Sequence, residues 1–425
     1  MKKDNVLIFP AGTEIAFEIF NALKYSKFVN LYGGASIEDH SLMLYKNIIK
    51  GFPFVDDENF ITFINNVVHE YKIDFIYPAH DSVVVKLTEN KDLIDAQIIT
   101  TDEATVNICR SKEKTYMYLA NENFIPEIYN INNKLEFPLF LKPKIGQGSK
   151  GARIINSKQE LDIYYSNNDI LCEYLPGKEI TVDCFTDLKG ILKVISPRER
   201  LRIKNGIAVK TKNLILTDEI KYIAETLNKK LEFKGAWFFQ LKCDVNNQYK
   251  LLEVSPRIPG TMGLSRNKGI NFPLLSIYAN KGIDCVTIEN SYDIVLDRAF
   301  INRYKIDIFY TKIYVDLDDT LIINDKINLV LIAFLYQCIN KNKKIYLLTK
   351  HKKKIEETLT RHRISLDLFD GIYHLRTDEK KYNYIEGRDC IFIDDSFAER
   401  FEVKKKLNIN VFDVDMVECL LDWRK

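Results

Sequence analysis

The sequence predicts an α/β and α+β protein of several domains, and three observations predict it. Short apolar runs alternate with helix-length patterns near both ends of the chain, as in open parallel sheets. The middle of the chain shows successive strand patterns, among them a hairpin over residues 236–252. The length, 425 residues, suits about two to four structural units.

Composition narrows the class. Apolar residues make up 46% of the chain, enough for ordinary cores. Lysine plus arginine is 61 against 59 aspartate plus glutamate, for a net charge of +2. That balance gives no footprint for nucleic acid or membrane. The runs Lys352-Lys353-Lys354 and Lys404-Lys405-Lys406 sit in helical patterns and read as solvated faces. Eight cysteines form no Cys-x-x-Cys pair and six histidines show no ligand spacing. Neither structural zinc nor a disulfide framework is expected. Residues 1–4 lead straight into a strand without a signal peptide, and no apolar run approaches a membrane span. The expectation is a soluble, cytoplasmic protein of a reducing compartment.

Taken in order, residues 5–9 (NVLIF) form a buried strand. Pro10 to Glu14 turns into a helix with Thr13 as cap. One glycine stands there, not three, so no dinucleotide fingerprint is present. A helix near Phe60–Tyr71 and a strand Ile73–Tyr77 repeat the alternation. His80-Asp81 follows that strand end, where open sheets bind ligands; a helix cap is the other reading. Ser111–Asn123 is a helix with Lys112 in its first turn. Pro138–Pro143 is a strand ending on Lys142-Pro143, followed by a loop, GQGSKG, with Gly146, Gly148, Ser149 and Gly151, and then a strand Ala152–Ile155. Glycines there let backbone N–H groups close over phosphates. Ala152 follows Gly151 and no helix succeeds the loop, so it is a strand-loop-strand flap, not a Walker A motif.

Glu173-Tyr174-Leu175 ends the next strand, and Thr181–Val194 is a β-meander. Arg198, Arg200 and Arg202 cluster near one strand end and suit a carboxylate or phosphate. Arg198 is the favoured substrate or phosphate contact; Arg200 and Arg202 could equally be solvent-exposed alternates. Asp218–Lys230 is a helix. The hairpin then runs from Ala236–Phe239 through the turn Asp244–Gln248 to Tyr249–Leu252. It sets Gln240 beside Glu253, two oxygen donors of the kind that hold Mg²⁺ with nucleotide phosphates. Arg257 follows, with a planar fork suited to a phosphate oxygen. Alone, this is a hairpin with a surface Glu and Arg; the glycine loop upstream weighs against that. A turn-rich loop, Pro259–Gly263, and a helix, Phe272–Ala279, close the region.

The last part begins again with a short buried strand, Lys312–Val315, ending in Asp316-Leu317-Asp318. Two carboxylates so placed need a cation to coexist. An aspartate there can act as a nucleophile toward phosphorus, with its neighbour donating a proton to the leaving group. A strand Lys344–Thr349 ends in a hydroxyl, Lys380-Lys381 opens a helix, and a strand Cys390–Ile393 ends in Asp394-Asp395-Ser396. The gaps from Asp319 to Lys344 and from Lys350 to Lys381 hold one helix each, too little for a cap domain.

The residues from Lys112 (CRSK) through Lys142 (FLKP), GQGSKG, EYLPGKE, Gln240 and Glu253 (LEVSPR) resemble, in order and spacing, the ATP-grasp ligases close to the carbamoyl phosphate synthetase large chain. The resemblance implies ATP with Mg²⁺, or Mn²⁺ in its place. It implies a Rossmann-like pre-ATP-grasp domain over 1–108 that frames the acceptor, and an ATP-grasp domain over 109–300 with a flap at about 135–178. Lys112, Lys142, Gly146, Gly148, Ser149 and Gly151 would meet the phosphates. Glu173, Tyr174 and Leu175 would meet adenine, and Glu179 the ribose; without the family frame Glu179 reads as an exposed edge residue. Gln240, Glu253 and Ser255 would hold metal and Arg257 would act in catalysis. Ser255 stands where the family has Asn, a weaker ligand that leaves a second metal loosely held.

Residues 311–425 resemble the phosphatase branch of the haloacid dehalogenase superfamily, with its four motifs in order. The resemblance implies a capless Rossmann-like domain with Asp316 as nucleophile and Asp318 as general acid/base. Thr349 and Lys381, preferred over Lys380, would hold the phosphoryl oxygens. The implied Mg²⁺ set is Asp316, Asp318, Asp394 and Asp395. Together the halves imply a carboxylate–amine ligase and a phosphomonoesterase with small-molecule carboxylate, amine and phosphorylated partners. A phosphorylated amine or amide in surface-polysaccharide or small-metabolite biosynthesis would suit both, and a homodimer is compatible with them. A small-molecule kinase joined to a phosphatase, and a nucleotide-sensing module attached to one, are the alternatives.

Overall fold

A computed structural model describes residues 3–146, 148–304, 306–422 and 424. Gln147 of the glycine loop, and Met1 and Lys2 of the expected leaderless start, lie outside the described residues. The chain divides into two compact units, Met1–Phe300 and Ile301–Arg424. Among the described residues no helix is long and apolar enough to cross a membrane.

The first unit opens with five parallel strands, β1 (Asp4–Phe9), β2 (Val29–Ala35), β3 (Asn47–Lys50), β4 (Phe75–Pro78) and β5 (Gln97–Ile98), in the order β3-β2-β1-β4-β5. Helix α1 (Glu14–Leu23) follows β1, and α2 (Phe60–Tyr71) and α3 (Asp81–Glu89) flank β4. The unbroken apolar run of β1 has a direct cause. Val6 and Ile8 pack with α1, while Leu7 and Phe9 pack with α2 and α3 on the other face. A strand buried on both faces needs no polar alternation. Thr13 caps α1 as expected, accepting from the Ala16 N–H.

Helices α4 (Glu103–Arg110) and α5 (Lys112–Tyr118) come next. The helix expected to run to Asn123 therefore stops at Tyr118, with Ser111 as its cap. A three-stranded antiparallel sheet follows, β6 (Leu139–Pro143), β7 (Arg153–Ile155) and β8 (Asp169–Glu173), in the order β7-β6-β8, with α6 (Lys158–Tyr164). The largest sheet is antiparallel: β9 (Glu179–Thr186), β10 (Leu192–Lys204), β11 (Ile207–Asn213), β12 (Gly235–Cys243), β13 (Tyr249–Ser255) and β14 (Val295–Asp297), ordered β13-β12-β9-β10-β11-β14. Helix α7 (Asp218–Lys230) covers one face, and α8 (Gly263–Asn267) and α9 (Phe272–Asn280) complete the unit.

Strand alternation decides what each face of that sheet does. Ile180, Val182 and Cys184 of β9 and Trp237, Phe239 and Leu241 of β12 point to α7 and form a core with its Ile220, Ile223, Ala224 and Leu227. The alternate positions, Thr181 and Asp183 on β9 and Gln240 on β12, fall on the opposite face, level with Arg198 on β10 and Glu253 on β13. That polar face is the floor of the first site.

The second unit is a five-stranded parallel sheet. It contains β15 (Lys312–Val315), a small hairpin β16 (Ile322–Ile323) and β17 (Lys326–Ile327), α10 (Leu329–Asn340), β18 (Lys344–Thr349), α11 (Ile355–Arg361), β19 (Gly371–His374), β20 (Cys390–Ile393), α12 (Phe397–Leu407) and β21 (Asn410–Phe412). The order is β19-β18-β15-β20-β21. Each gap holds more than the single helix expected. The first adds the hairpin, turned by Asn324 and Asp325 at positive φ, and the second adds edge strand β19. Neither addition amounts to a separate domain.

Candidate functional site

The first site is built on the row Glu253–Gln240–Thr181–Arg198, direct cross-strand neighbours on β13, β12, β9 and β10. The hairpin places Gln240 opposite Glu253, with a bulge just beyond Gln240. Lys142 approaches from β6. It is 6% exposed, and its Nζ donates to the Tyr116 hydroxyl at 2.7 Å. Burial pushes its pKa down, Lys112 adds to that, and Glu253 and Glu179 oppose it. Lys112 Nζ donates to the Gly146 carbonyl at 3.3 Å, tying the first turn of α5 to the glycine loop.

Gly148, Ser149 and Gly151 all have positive φ, so the loop turns through conformations that side chains resist. The β10–β11 turn meets it. Gly206 has φ +74°, and a Cβ there would stand 2.2 Å from the Gly148 carbonyl carbon. Gly206→Ala is thus expected to cost about 1–3 kcal/mol and to weaken nucleotide binding by displacing the loop. Thermal melts and ATP titration of the variant would check both effects.

Two cavities meet over this floor, of about 380 Å³ and 140 Å³. Lys112, Gly148, Arg200, Gln240 and Glu253 line both. Glu173, Leu175, Ser149 and Glu179 line the smaller one, whereas Tyr174 does not appear among its lining residues. Glu173 Oε1 accepts from the Glu127 N–H at 3.0 Å. Glu179 is not an edge residue: β9 lies between β12 and β10, and Arg200 Nη1 stands 3.0 Å from its carboxylate.

Arg200 and Arg257 depart most from expectation. Arg200, read as solvent-exposed, is buried between Glu179 and the Gln240 carbonyl oxygen and also donates to the Gly206 carbonyl. Arg202 is the exposed one, paired with Asp297. Arg198, favoured as a substrate contact, is 1% exposed and donates to both oxygens of Asp183, at 2.9 and 3.0 Å. Arg257, expected to clamp a phosphate, spends its fork on Asp81, at 2.6 and 2.9 Å, and its remaining nitrogen on the Ile258 carbonyl. Ser255, expected as a metal ligand, donates to the same Asp81 at 3.2 Å. Asp81 therefore organises this end of the site, and the Arg257 cation holds its carboxyl down at about 2 against the upward pull of burial. His80 caps α3, accepting from the Ser82 N–H.

The second unit gathers its acidic residues at the C-terminal ends of β15 and β20. The carboxylates of Asp316, Asp394 and Asp395 lie within 4.8 Å of one another. This is where the sheet order reverses, and open parallel sheets bind ligands at such points. Lys381 Nζ reaches in to Asp316 at 2.9 Å and Asp394 at 2.5 Å. Lys380 points out to Glu402, so of the two lysines Lys381 faces the cluster. Thr349, at the end of β18, is fully buried beside Asp316. Burial pushes Asp316 up, and burial plus the Asp316 charge raise Asp394 to about 7, both against the pull of Lys381. Burial works against the Lys381 charge, but the two carboxylates outweigh it and keep the ammonium charged.

Asp318 was expected in the metal set but stands outside this trio. His351 Nδ1 lies 2.9 Å from both of its oxygens, and His351 Nε2 lies 2.8 Å from Thr358 Oγ1. The signal was present in sequence, since His351 comes two residues after Thr349 at the end of β18. Asp395 exchanges hydrogen bonds with the Thr320 hydroxyl, at 3.0 and 3.1 Å.

Comparison with known proteins bears on the first unit. A family model described as ATP-grasp in the biosynthetic pathway with Ter operon matches residues 166–296. The carbamoyl phosphate synthase large chain of Thermoanaerobacter pseudethanolicus is 24% identical over 221 residues, covering 45% of this chain and 20% of that protein. The chain thus spans about a fifth of the length of the curated relatives it matches. Among solved structures, biotin carboxylase from Campylobacter jejuni, in a complex with a β,γ-ATP compound, superposes with a TM-score of 0.56 at 16% identity, over 69% of this chain and 74% of that one. L-amino acid ligase from Bacillus licheniformis gives 0.54 at 18% identity, over 68% and 76%. The chain has the ATP-grasp ligase fold over much of its length.

Proposed function

We propose that the first unit is an ATP-dependent carboxylate–amine ligase. Residues 1–108 form its Rossmann-like pre-ATP-grasp domain and 109–300 the ATP-grasp domain, with the flap at 135–178. One observation carries this reading: Lys142, Lys112 and the glycine loop converge over the adjacent oxygen donors Gln240 and Glu253. Glu253 offers a carboxylate to a hard cation such as Mg²⁺ or Mn²⁺, and Gln240 offers the second lone pair of an oxygen that also accepts from Arg200. Bound there, the cation would neutralise phosphoryl charge. Lys142 and Lys112 then face the transferring phosphoryl group. The acceptor carboxylate takes that group as an acyl phosphate, and an amine displaces phosphate to form the amide. The flap strands exclude water, which would otherwise hydrolyse the intermediate. Positioning and fixed charge do the work, because no side chain of the first unit becomes covalently bound.

The second unit, residues 311–425, is a phosphomonoesterase of the haloacid dehalogenase type. Asp316 attacks phosphorus and the alcohol leaves with a proton from Asp318, oriented by His351. Water then cleaves the aspartyl phosphate. The trio Asp316, Asp394 and Asp395 fits Mg²⁺, and Lys381 and Thr349 steady the phosphoryl oxygens. One route unites the halves: a phosphorylated amine is joined to a carboxylate and then loses its phosphate.

Calorimetry with ATP and Mg²⁺, then ADP release with pooled acids and amines, tests the ligase half. Mass spectrometry of the products distinguishes an amide from a phosphorylated alcohol. Lys142→Ala is expected to weaken ATP binding about tenfold or more, the scale of one charge-assisted contact. An unchanged ATP affinity would make the GQGSKG segment a structural turn only.

A further inference from the structure

The larger cavity is more cationic than a nucleotide requires. Among the described residues its wall carries seven arginine and lysine side chains against three carboxylates. Lys112, Lys150 and Arg200 also line the smaller cavity and belong to the end under the glycine loop. Arg257 is spent on Asp81 and a backbone carbonyl. Arg110 acts on the charge of Asp81. Arg198 and Arg298, like Arg110, line only the larger cavity. Arg198 and Arg298 each have a buried Nη1 with no hydrogen-bond partner among the described residues. A buried guanidinium N–H without a partner carries its full desolvation penalty, so a ligand oxygen is the natural partner for each.

Their place in the sheet says which ligand. Glu253 stands on edge strand β13, whereas Arg198 is on β10 and Arg298 follows β14 at the opposite edge. From β13 to β10 is three strand steps, roughly 14 Å of backbone spacing. Arg298 is fixed by its own N–H, which donates to the Val209 carbonyl of β11 at 2.7 Å. Gly260 leaves it room, since a Cβ there would lie 3.2 Å from Arg298 Nη1. Glu14 and Glu18 are the acids whose charges bear on Arg298, but its Nη1 donates to neither, and Glu18 is held by Arg266. Asp183 is held on the other two nitrogens of Arg198.

We propose that Arg198 and Arg298 bind a second acidic group of the acceptor, a carboxylate or a phosphate, so that the ligase takes a dianionic acid rather than a simple monocarboxylate. This inference rests on the ligase reading of the same site. Nη1 of each arginine donates to the distal anion, while the acid group to be activated lies toward Gln240 and Glu253.

The test uses the full chain with MgADP bound. Calorimetry measures butyrate as the monoacid, succinate as the dicarboxylate and 3-phosphoglycerate as the phosphorylated acid. At least one dianion is expected to bind about 30-fold tighter than butyrate, as one or two charge-assisted hydrogen bonds would give. The tighter of the two tells whether the distal group is a carboxylate or a phosphate. Arg298→Gln should erase that preference and Arg298→Lys should restore part of it. Arg198 is left alone, because removing it strands Asp183 in a buried site. Equal binding of butyrate and both dianions, or a preference that survives in Arg298→Gln, overturns the proposal. Failure of the wild-type chain to bind MgADP or MgATP, measured first, would instead sink the ligase reading itself.

Discussion

Glu253→Gln is expected to bring ATP-dependent ADP release to background, a loss of roughly 10³-fold or more, the range seen when one fixed charge is removed from a phosphoryl-transfer site. The amide keeps the size and one oxygen of the carboxylate, so β13 and its register with β12 should survive. What disappears is the negative charge. Glu253 is the carboxylate set beside Gln240, and its charge also bears on Lys142, Arg200 and Arg257 around it. Without it, a cation held there would lose its charged ligand, and three neighbouring cations repel one another more strongly. Nucleotide binding should weaken less than turnover, because the lysines and the glycine loop remain. On the phosphomonoesterase reading, hydrolysis of a simple phosphomonoester by the second unit should stay at the wild-type rate, and an unchanged melting temperature should show that the first unit is folded. ADP release near the wild-type rate would remove Glu253 from the metal site.

The sites differ in how far the sequence reveals them. The Gln240–Glu253 pairing was legible because a turn-rich segment, Asp244–Gln248, sits between two apolar runs and sets their register. The cluster in the second unit was legible because each residue ends or follows a buried strand. Pairings across long separations were not. Arg198 and Arg200 share one strand and one face, and only their neighbours on β9, Asp183 and Glu179, decide how each is held. Arg257 reads as a free clamp until Asp81, 176 residues earlier, is brought against it by the fold. Ser255, read as a weak metal ligand because it is a hydroxyl in place of an amide, donates its proton to that same distant carboxylate. Asp318 and His351 are 33 residues apart and belong to different strand ends. Strands β16 and β17 have two residues each, too few for any periodicity to show.

Asp316→Asn is expected to abolish phosphomonoesterase activity, by roughly 10⁴-fold or more, as loss of a covalent nucleophile does. The substitution is nearly isosteric, and the side chain lies at the end of β15, where its N–H still donates to the Ile393 carbonyl at 2.9 Å. Removing the charge also relieves Asp394, whose pKa is raised by burial and next by Asp316. Lys381 keeps Asp394 as its partner, so the buried ammonium is not left alone. Folding should therefore persist, and the melting temperature checks it. No aspartyl phosphate and no fluoride-trapped analogue should form at residue 316. ATP consumption by the first unit, given its acid and amine, should continue. On the coupled route this variant accumulates a phosphorylated condensation product, and the wild-type protein releases the same product without phosphate. Accumulation of only the unligated phosphorylated amine would mean that phosphate is removed before ligation. ATP turnover with neither species present would mean that the two units share a chain but no substrate.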